Sequence, residues 1–427
     1  MADIAVIGAG YVGLTTGTCL AHLGHNVTIA DIDEIKVQEL NEGEVPIFES
    51  GLSELLTEGI ENGNLKFVVG AVSASRNAAF HFLCLPTPPN PDGSTNMEYF
   101  NSAIEEIKDI LPPNSVIVNK STLPVGTASQ LKKQIQRTDV EIVSNPEFLS
   151  EGNAVQDFLH PSRIVIGAES QEAASSVAAL FKDIDTTTQI TGTESAELIK
   201  HTANAFLAMK LTFINEIATL CELVGANVLD VAEGIGYDPR IGSTYLRPGP
   251  GWGGSCFPKD SASLLQTANK AGFDFELLEK AITLNTTHLQ RTAQKVIDAL
   301  PEGKEIEKSK IAVLGLTFKA GTDDLRSSPS LTVIEHLFNL NARVSAYDPM
   351  VNLPIEDMSK IEITSTAYEA ANNADALVIL TEWEEFADLN YERIHEAMCH
   401  PVVVDARNLL NPHDLEQQGF QYIGLGQ

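Results

Sequence analysis

Cysteine is scarce and scattered in this chain. Cys19, Cys84, Cys221, Cys256 and Cys399 make an odd number with no Cys-x-x-Cys spacing, which argues against a disulfide framework and against a zinc site. Reduced thiols are the expectation, and Cys19, Cys84 and Cys221 sit in apolar helical or strand patterns that read as small core hydrophobes. Long apolar runs are lacking too: none approaches the roughly 18 residues of a membrane span. The first residues, MADIAVIG, carry no cationic region and enter a strand at once, so they do not read as a signal peptide, and the expected setting is the cytoplasm. Cations are in short supply, 28 Lys and Arg against 58 Asp and Glu. The resulting formal charge of −30 argues against nucleic acid or an anionic membrane surface as a partner. No low-complexity tract or repeat period appears, which removes disorder and solenoid readings. A phosphorylated substrate would be repelled by so acidic a chain, so its site has to be a local cationic exception.

What is present is an ordinary globular composition, 43% apolar and 20% charged, in 427 residues, a length that suits two or three domains. From Ile4 to about Gly167, short apolar runs alternate with helical stretches: IAVIG (4–8), VTIAD (27–31), FHFLCL (80–85), SVIVNK (115–120), EIVSN (141–145) and RIVIGA (163–168). This alternation predicts a parallel sheet with helices on both faces. A second set, IAVLGL (311–316), RVSAYD (343–348), ALVILTEW (376–383) and PVVVDARN (401–408), predicts another, smaller doubly wound domain. Between them the pattern is helical, with one continuous helix from Glu194 to Val224 that Gly225 stops. The fold class expected is therefore α/β: two Rossmann-like doubly wound domains (1–192 and 301–427) joined by a helical segment (193–300) with a long central helix. Lys200, Asn204, Leu211 and Asn215 fall at spacings of 4, 7 and 4 along one face of that helix. Spacing alone leaves this stripe either solvated or looking into a site.

Two motifs carry chemistry. Gly8-Ala9-Gly10-Tyr11-Val12-Gly13 follows a strand and opens a helix, and Asp31 ends the next strand 18 residues after the last glycine. The glycines allow a tight turn and close approach of a pyrophosphate to a helix N-terminus, while the carboxylate accepts from a ribose diol. Asp31 favours NAD, since it would repel a 2′-phosphate; Lys36, nearby, leaves some room for NADP. The second motif, Pro248-Gly-Pro-Gly-Trp-Gly-Gly-Ser-Cys256-Phe-Pro-Lys259-Asp260, is too rich in glycine and proline for helix or regular strand and reads as a shaped loop. It sets Cys256 just before a helix N-terminus with Lys259 close by, and both features favour thiolate. The bland alternative is a structural cysteine in a turn, which needs neither the glycines nor the Lys-Asp pair. A nicotinamide cofactor beside a reactive cysteine narrows the chemistry to oxidation of an aldehyde through a thiohemiacetal and thioester.

The combination of GAGYVG, PTPP (86–89), STLPVGT (121–127), NPEFLSEG (145–152), ELIKHTANAF (197–206), GIGYDPRIG (234–242), GPGWGGSCFPKD (249–260) and GLTFKAGTDDLRSSP (315–329) closely resembles the UDP-glucose/GDP-mannose dehydrogenase family, in order and over essentially the whole chain. GPGWGGSCFPKD and GYDPRIG are most similar to the branch that oxidises UDP-glucose. The resemblance implies an NAD-dependent oxidation of UDP-glucose to UDP-glucuronate, with GDP-mannose or a UDP-N-acetylhexosamine as alternative substrates. It implies Cys256 as nucleophile, Lys259 on the oxyanion, Asp260 handling protons, Thr122 and Glu151 activating water, Lys200 and Asn204 holding the sugar hydroxyl, and Glu147 near the sugar. Lys319, Arg407 and the loop from Tyr245 to Gly253 would hold the nucleotide diphosphate, with Arg240 reaching in from a second subunit of a homodimer or higher homo-oligomer. Gly8, Gly10, Tyr11, Val12, Gly13, Asp31, Lys36, Thr87, Thr122, Glu151 and Arg326 would contact NAD. No metal is implied. Ser150, Ser327 and Ala406 depart from residues frequent in the family, outside this chemistry. A catalytically idle nucleotide-sugar binder or a redox sensor is the reading from another class, against which the intact Cys256, Lys259, Thr122, Lys200 and Asn204 speak.

Overall fold

The computed structural model describes residues 1–351 and 361–427. The chain divides into two compact units, one of residues 1–203 and 262–273, the other of 204–261 and 274–427.

The first unit is built on eight strands: β1 (Asp3–Ile7), β2 (Asn26–Asp31), β3 (Leu65–Val69), β4 (Phe80–Leu83), β5 (Val116–Asn119), β6 (Glu141–Ser144), β7 (Ile164–Ala168) and β8 (Thr188–Thr191). Their order is β3-β2-β1-β4-β5-β6-β7-β8. The order reverses beside β1, the point where open α/β sheets bind ligands at the strands' carboxyl ends. Alternate residues feed two cores: Ile4, Val6, Phe82, Val116 and Val118 pack on one face, and Ile7, Leu83, Ile117 and Ile142 on the other. Helices therefore cover both faces, as the uninterrupted apolar runs require. One expectation is corrected. The run at 163–168 does not continue the parallel sheet, because β7 pairs antiparallel with β6. Only a loop and the short helix Ala154–Leu159 join the two strands, and the chain returns along β6 rather than crossing over to its starting end.

The second unit carries six parallel strands, β9 (Lys310–Leu314), β10 (Arg343–Tyr347), β11 (Ile361–Ile363), β12 (Ala376–Ile379), β13 (Val402–Asp405) and β14 (Gln421–Gly424), in the order β11-β10-β9-β12-β13-β14. Again the alternation is strict: Ile311, Val313, Val378 and Val404 face one core, and Ala312, Leu314, Leu377 and Val403 the other. The reversal here falls between β9 and β12.

The long helix forms over Thr193–Val224, 32 residues, and Gly225 follows it at φ +72°. That left-handed conformation is one glycine adopts without penalty, so the helix ends there. Helices Phe257–Lys270 and Glu276–Asp298 complete the middle of the chain.

Candidate active site

In the first unit, β1 leads through Gly8-Ala9-Gly10 into the helix Tyr11–His22. Gly8 turns at φ +103°, and a Cβ there would lie 2.5 Å from the Cys84 carbonyl oxygen; at Gly13 it would lie 1.8 Å from that of Gly8. These two positions admit only glycine because backbone passes against backbone. A Cβ on Gly10 meets nothing within 4 Å, so its side faces open space at the helix N-terminus. That is the cradle a pyrophosphate fits. At the end of β2, Asp31 accepts from the Ala9 amide (2.9 Å), the Asp33 amide (3.1 Å) and Lys36 Nζ (3.3 Å). Burial works against the charged form, but the Ala9 and Asp33 amides and then Lys36 outweigh it and hold the Asp31 carboxyl below its ordinary range. A carboxylate kept ionised beside the glycine turn suits a ribose diol, and its pairing with Lys36 occupies the cation that the sequence left open for NADP. The residues present thus fit NAD.

The loops after β4 and β5 are tied together by Thr87, whose hydroxyl donates to the Thr122 carbonyl at 3.2 Å. Two residues of the long helix grip the same loop. Glu197 accepts from the Gly126 and Ala128 amides at 2.6 and 2.9 Å, and the His201 ring meets the Leu123 carbonyl at 2.9 Å. Next to them on that helix, Lys200 forms an ion pair with Glu147 at 2.8 Å, with side chains 3% and 7% exposed. The other Glu147 oxygen accepts the Leu149 amide at 2.6 Å, which fixes its direction. Lys120, buried under this pair, donates to Asn145 Oδ1 at 3.1 Å and stands over the rings of Phe158 and Phe181. Burial brings its ammonium down to about 8. Glu151 lies in the turn before helix Ala154–Leu159, where Glu49 accepts the Gly152 and Ala154 amides at 2.7 and 3.0 Å.

In the second unit, Cys256 immediately precedes the helix Phe257–Lys270, with its sulfur 3.4 Å from Ser255 Oγ. Asp260, fully buried, accepts from Lys259 Nζ at 2.7 Å and from Asn204 Nδ2 at 2.6 Å. Lys259 is therefore engaged with Asp260, its neighbour in the motif's Lys-Asp pair, and Asn204 is the partner of Asp260 that the sequence did not reveal. Cys19 and Cys84 are buried, and burial pushes both thiols up to about 12, which leaves them inert.

The glycine-rich loop lies against two helices. Gly249 N–H donates to Asn215 Oδ1 (3.0 Å), and His288 Nε2 meets the Gly249 carbonyl (2.8 Å). Asn285 accepts the Trp252 amide and donates to the Trp252 carbonyl, both at 2.9 Å, and Trp252 Nε1 donates to Thr212 at 2.8 Å. At the β9–β12 reversal, Arg407 donates to the Leu380 carbonyl (2.7 Å) and the Phe318 carbonyl (3.3 Å), and pairs with Glu382 (2.9 Å). A Cβ on Gly249 would come within 3.0 Å of that guanidinium, so the loop passes directly over it. Gly253 is equally constrained: a Cβ would lie 2.0 Å from the Ser327 carbonyl oxygen. Lys319 stands over the Phe318 ring at 5.7 Å. Tyr245, at φ +61°, sets its ring 6.1 Å from that of Phe257. Arg407 and the glycine-rich loop thus meet at the carboxyl end of the second sheet, next to Phe318 and Lys319.

Two arginines are engaged locally. Arg326 makes a forked pair with Asp324, and Arg240, 88% exposed, pairs with Asp238 at 2.6 Å. Among the described residues no cluster of His, Cys, Asp and Glu is arranged to hold a metal.

Sequence reasoning missed Lys120, Glu49, Glu197, Thr212, Asn285 and His288, and left Asn215 without a partner. The signal for the loop-binding set was there: Asn285, His288 and Thr292 occupy the same helical phase as Leu278, Ala281 and Val296, positions where a core helix carries apolar residues.

The sequence matches three models of one family end to end: the NAD binding domain over residues 2–185, the central domain over 194–287 and the UDP binding domain over 312–412 of the UDP-glucose/GDP-mannose dehydrogenases. It is 44% identical to a UDP-glucose 6-dehydrogenase of Rhizobium meliloti, over 99% of each chain. With the UDP-glucose 6-dehydrogenase TuaD of Bacillus subtilis it shares 40% identity over 100% of this chain and 93% of the relative. A UDP-glucose dehydrogenase structure from Pyrobaculum islandicum superimposes with a TM-score of 0.87 at 31% identity, covering 100% of this chain and 98% of that one.

Proposed function

This chain belongs to the UDP-glucose/GDP-mannose dehydrogenase family, and from that premise we propose that it oxidises UDP-glucose to UDP-glucuronate, with NAD as oxidant and Cys256 as covalent nucleophile. The observation that carries the reading is the group around Cys256. A cysteine at a helix N-terminus adjoins a buried Asp260 that is hydrogen-bonded to both Lys259 and Asn204. A nucleophilic sulfur in such a group serves acyl chemistry, which a plain alcohol oxidation does not require.

Lys200 and Asn204 hold the C6 hydroxyl, and Asp260 receives its proton as the alcohol becomes an aldehyde. NAD, which the Gly8–Gly13 turn and Asp31 would hold, would supply the hydride acceptor for the two oxidations at C6. The Cys256 thiolate adds to the aldehyde carbon, and Lys259 stabilises the oxyanion of the thiohemiacetal. Loss of the second hydride from C6 leaves a thioester. Water, positioned by Thr122 and Glu151, attacks that carbonyl, the carbon–sulfur bond breaks, and the acid departs with the thiol restored. One substrate and one water thus give one acid and two reduced cofactors. Glu147 keeps Lys200 oriented beside the sugar. Lys319, Arg407 and the loop from Tyr245 to Gly253 bind the diphosphate. In this reading Arg326 and Thr87 serve the cofactor, as does the glycine turn.

A homodimer is part of the proposal. Phe206, Phe213 and Leu220 recur every seven residues on the long helix and are 57%, 54% and 51% exposed, with Leu223 and Tyr237 exposed as well. An apolar stripe of this kind supports pairing with a second copy. Arg240, exposed on the same unit, is then available to a partner's substrate. None of the five cysteines, all of them among the described residues, is joined in a disulfide, which suits action in the cytoplasm.

The test is NADH absorbance with a panel of UDP-glucose, GDP-mannose and UDP-N-acetylhexosamines. UDP-glucose should give the highest kcat/KM. Preference for another sugar nucleotide would reassign the substrate, and no turnover with any would support the idle-binder reading.

A further inference from the structure

The loop Pro248–Gly254 has no regular secondary structure, yet its backbone is held as firmly as a strand. Pro248 and Pro250 lack N–H groups, and the glycines have no side chains with which to pin the backbone. The fixing groups come instead from helices. The long helix gives Thr212 and Asn215, and helix Glu276–Asp298 gives Asn285, His288 and Thr292, whose hydroxyl lies 3.4 Å from the Pro250 carbonyl. All five are buried, at 8% exposure or less. Asparagine disfavours a helix interior, and a buried amide costs stability unless it is bonded, so such residues in core positions need a compensating partner.

Asn285 stands apart from the rest. Its amide accepts from the N–H and donates to the C=O of one residue, Trp252, the double exchange by which a neighbouring strand holds an extended chain. Gly251, at φ +145°, lies so close that a Cβ would come within 3.0 Å of both Asn285 Oδ1 and Leu289 Cδ2. The loop is thereby laid flat on the helix at the residue between Pro250 and Trp252. Four residues beyond Trp252 stands Cys256, and three before it Gly249 passes over Arg407.

We propose that Asn285 is a positioning residue for the reaction: by pairing with both backbone groups of Trp252, it fixes the loop in the one conformation that presents its backbone to the substrate diphosphate. His288 and Asn215 do the same for Gly249. The proposal rests on the reading of this loop as the diphosphate holder, and it adds that the holder is shaped from behind, by residues that never touch substrate.

The experiment separates the two claims. In a Trp383→Phe background, Trp252 is the sole tryptophan and reports on the loop with no substrate present. Asn285→Ala should shift its emission to the red and raise its quenching by acrylamide. In the same variant KM for UDP-glucose should rise about tenfold or more, as expected when buried backbone groups lose their partners. KM for NAD should stay unchanged. A merely structural role would lower the active fraction and leave both KM values where they were. If Trp252 emission and quenching do not change, Asn285 does not hold the loop and the proposal is overturned. If Trp252 is loosened but KM for UDP-glucose stays put, the positioning role is overturned. Failure of the functional reading shows separately, as lack of UDP-glucose turnover by the parent protein; the KM test then uses whichever sugar nucleotide it oxidises. Should Asn285→Ala not fold, Asn215→Ala, which removes only the acceptor of the Gly249 amide, carries the same two readouts.

Discussion

Replacing Glu147 by glutamine removes the carboxylate that pairs with Lys200 at 2.8 Å and sets a neutral amide against that buried ammonium, 3% exposed. Breaking one partner out of a buried ion pair costs about 3–5 kcal/mol, because the remaining charge is neither solvated nor matched. Glu147 also supports the charge on Lys120, already lowered by burial to about 8, so the substitution lowers it further. The sign of the pH dependence follows. In the unfolded chain Lys120 titrates near 10.5, in the fold near 8, so between these values the unfolded state holds more protons and raising the pH favours the fold. Wild type should therefore gain stability relative to Lys120→Met from pH 8 to 10, by an amount on the order of 3 kcal/mol. Glu147→Gln should lose most at pH 7 and recover part of the loss by pH 9.5, and Lys120→Met added to Glu147→Gln should remove that recovery. Urea unfolding at the two pH values, followed by circular dichroism, measures all four proteins. A loss below about 1 kcal/mol at pH 7, the size of an exposed pair, or a loss identical at both pH values, would show that Glu147 does not sustain these buried ammonium charges.

The Asp31 carboxylate should impose NAD over NADP, and Asp31→Ala should narrow the ratio of kcat/KM values; comparable efficiency of wild type with both cofactors would contradict this. Lys319→Ala and Arg407→Ala should each cost roughly 1.5–3 kcal/mol of binding, read chiefly in KM for UDP-glucose; a depressed kcat with KM unchanged would show them misassigned. Arg240→Ala should weaken UDP-glucose binding far more than NAD binding, and full activity in a species shown by sedimentation to be monomeric would exclude the shared-site arrangement.

The interior of each sheet was legible because strands buried on both faces are continuous apolar runs: IAVIG, FHFLCL, IAVLGL and PVVVDARN all became central strands. The four strands that were missed are the four sheet edges, β3, β8, β11 and β14. An edge strand has only one neighbour and keeps polar residues, as in TQIT and QYIG, so its pattern is weak. The reversal of β7 was invisible for another reason, since strand direction depends on connection geometry and not on the apolar run itself. At the site, glycines, Asp31 and Cys256 were readable because their chemistry is local in sequence. Asn285 and Glu197 were not, because each acts on backbone 33 or 69 to 71 residues away. The Lys259–Asp260–Asn204 linkage was half visible: two members are adjacent in sequence, and the third arrives by the fold.

A covalent bond from Cys256 to the substrate is the central step of the reaction, and the Cys256→Ser protein shows whether it forms. The serine hydroxyl is a weaker nucleophile than thiolate, and an ester resists hydrolysis more than a thioester, so an acyl-enzyme should accumulate. Intact mass spectrometry after incubation with UDP-glucose and NAD should show the mass of UDP-glucuronate less one water added to Cys256→Ser, and nothing added to Cys256→Ala. An unmodified serine variant together with near-normal acid production by Cys256→Ala would contradict the covalent route and point to direct oxidation of an aldehyde hydrate.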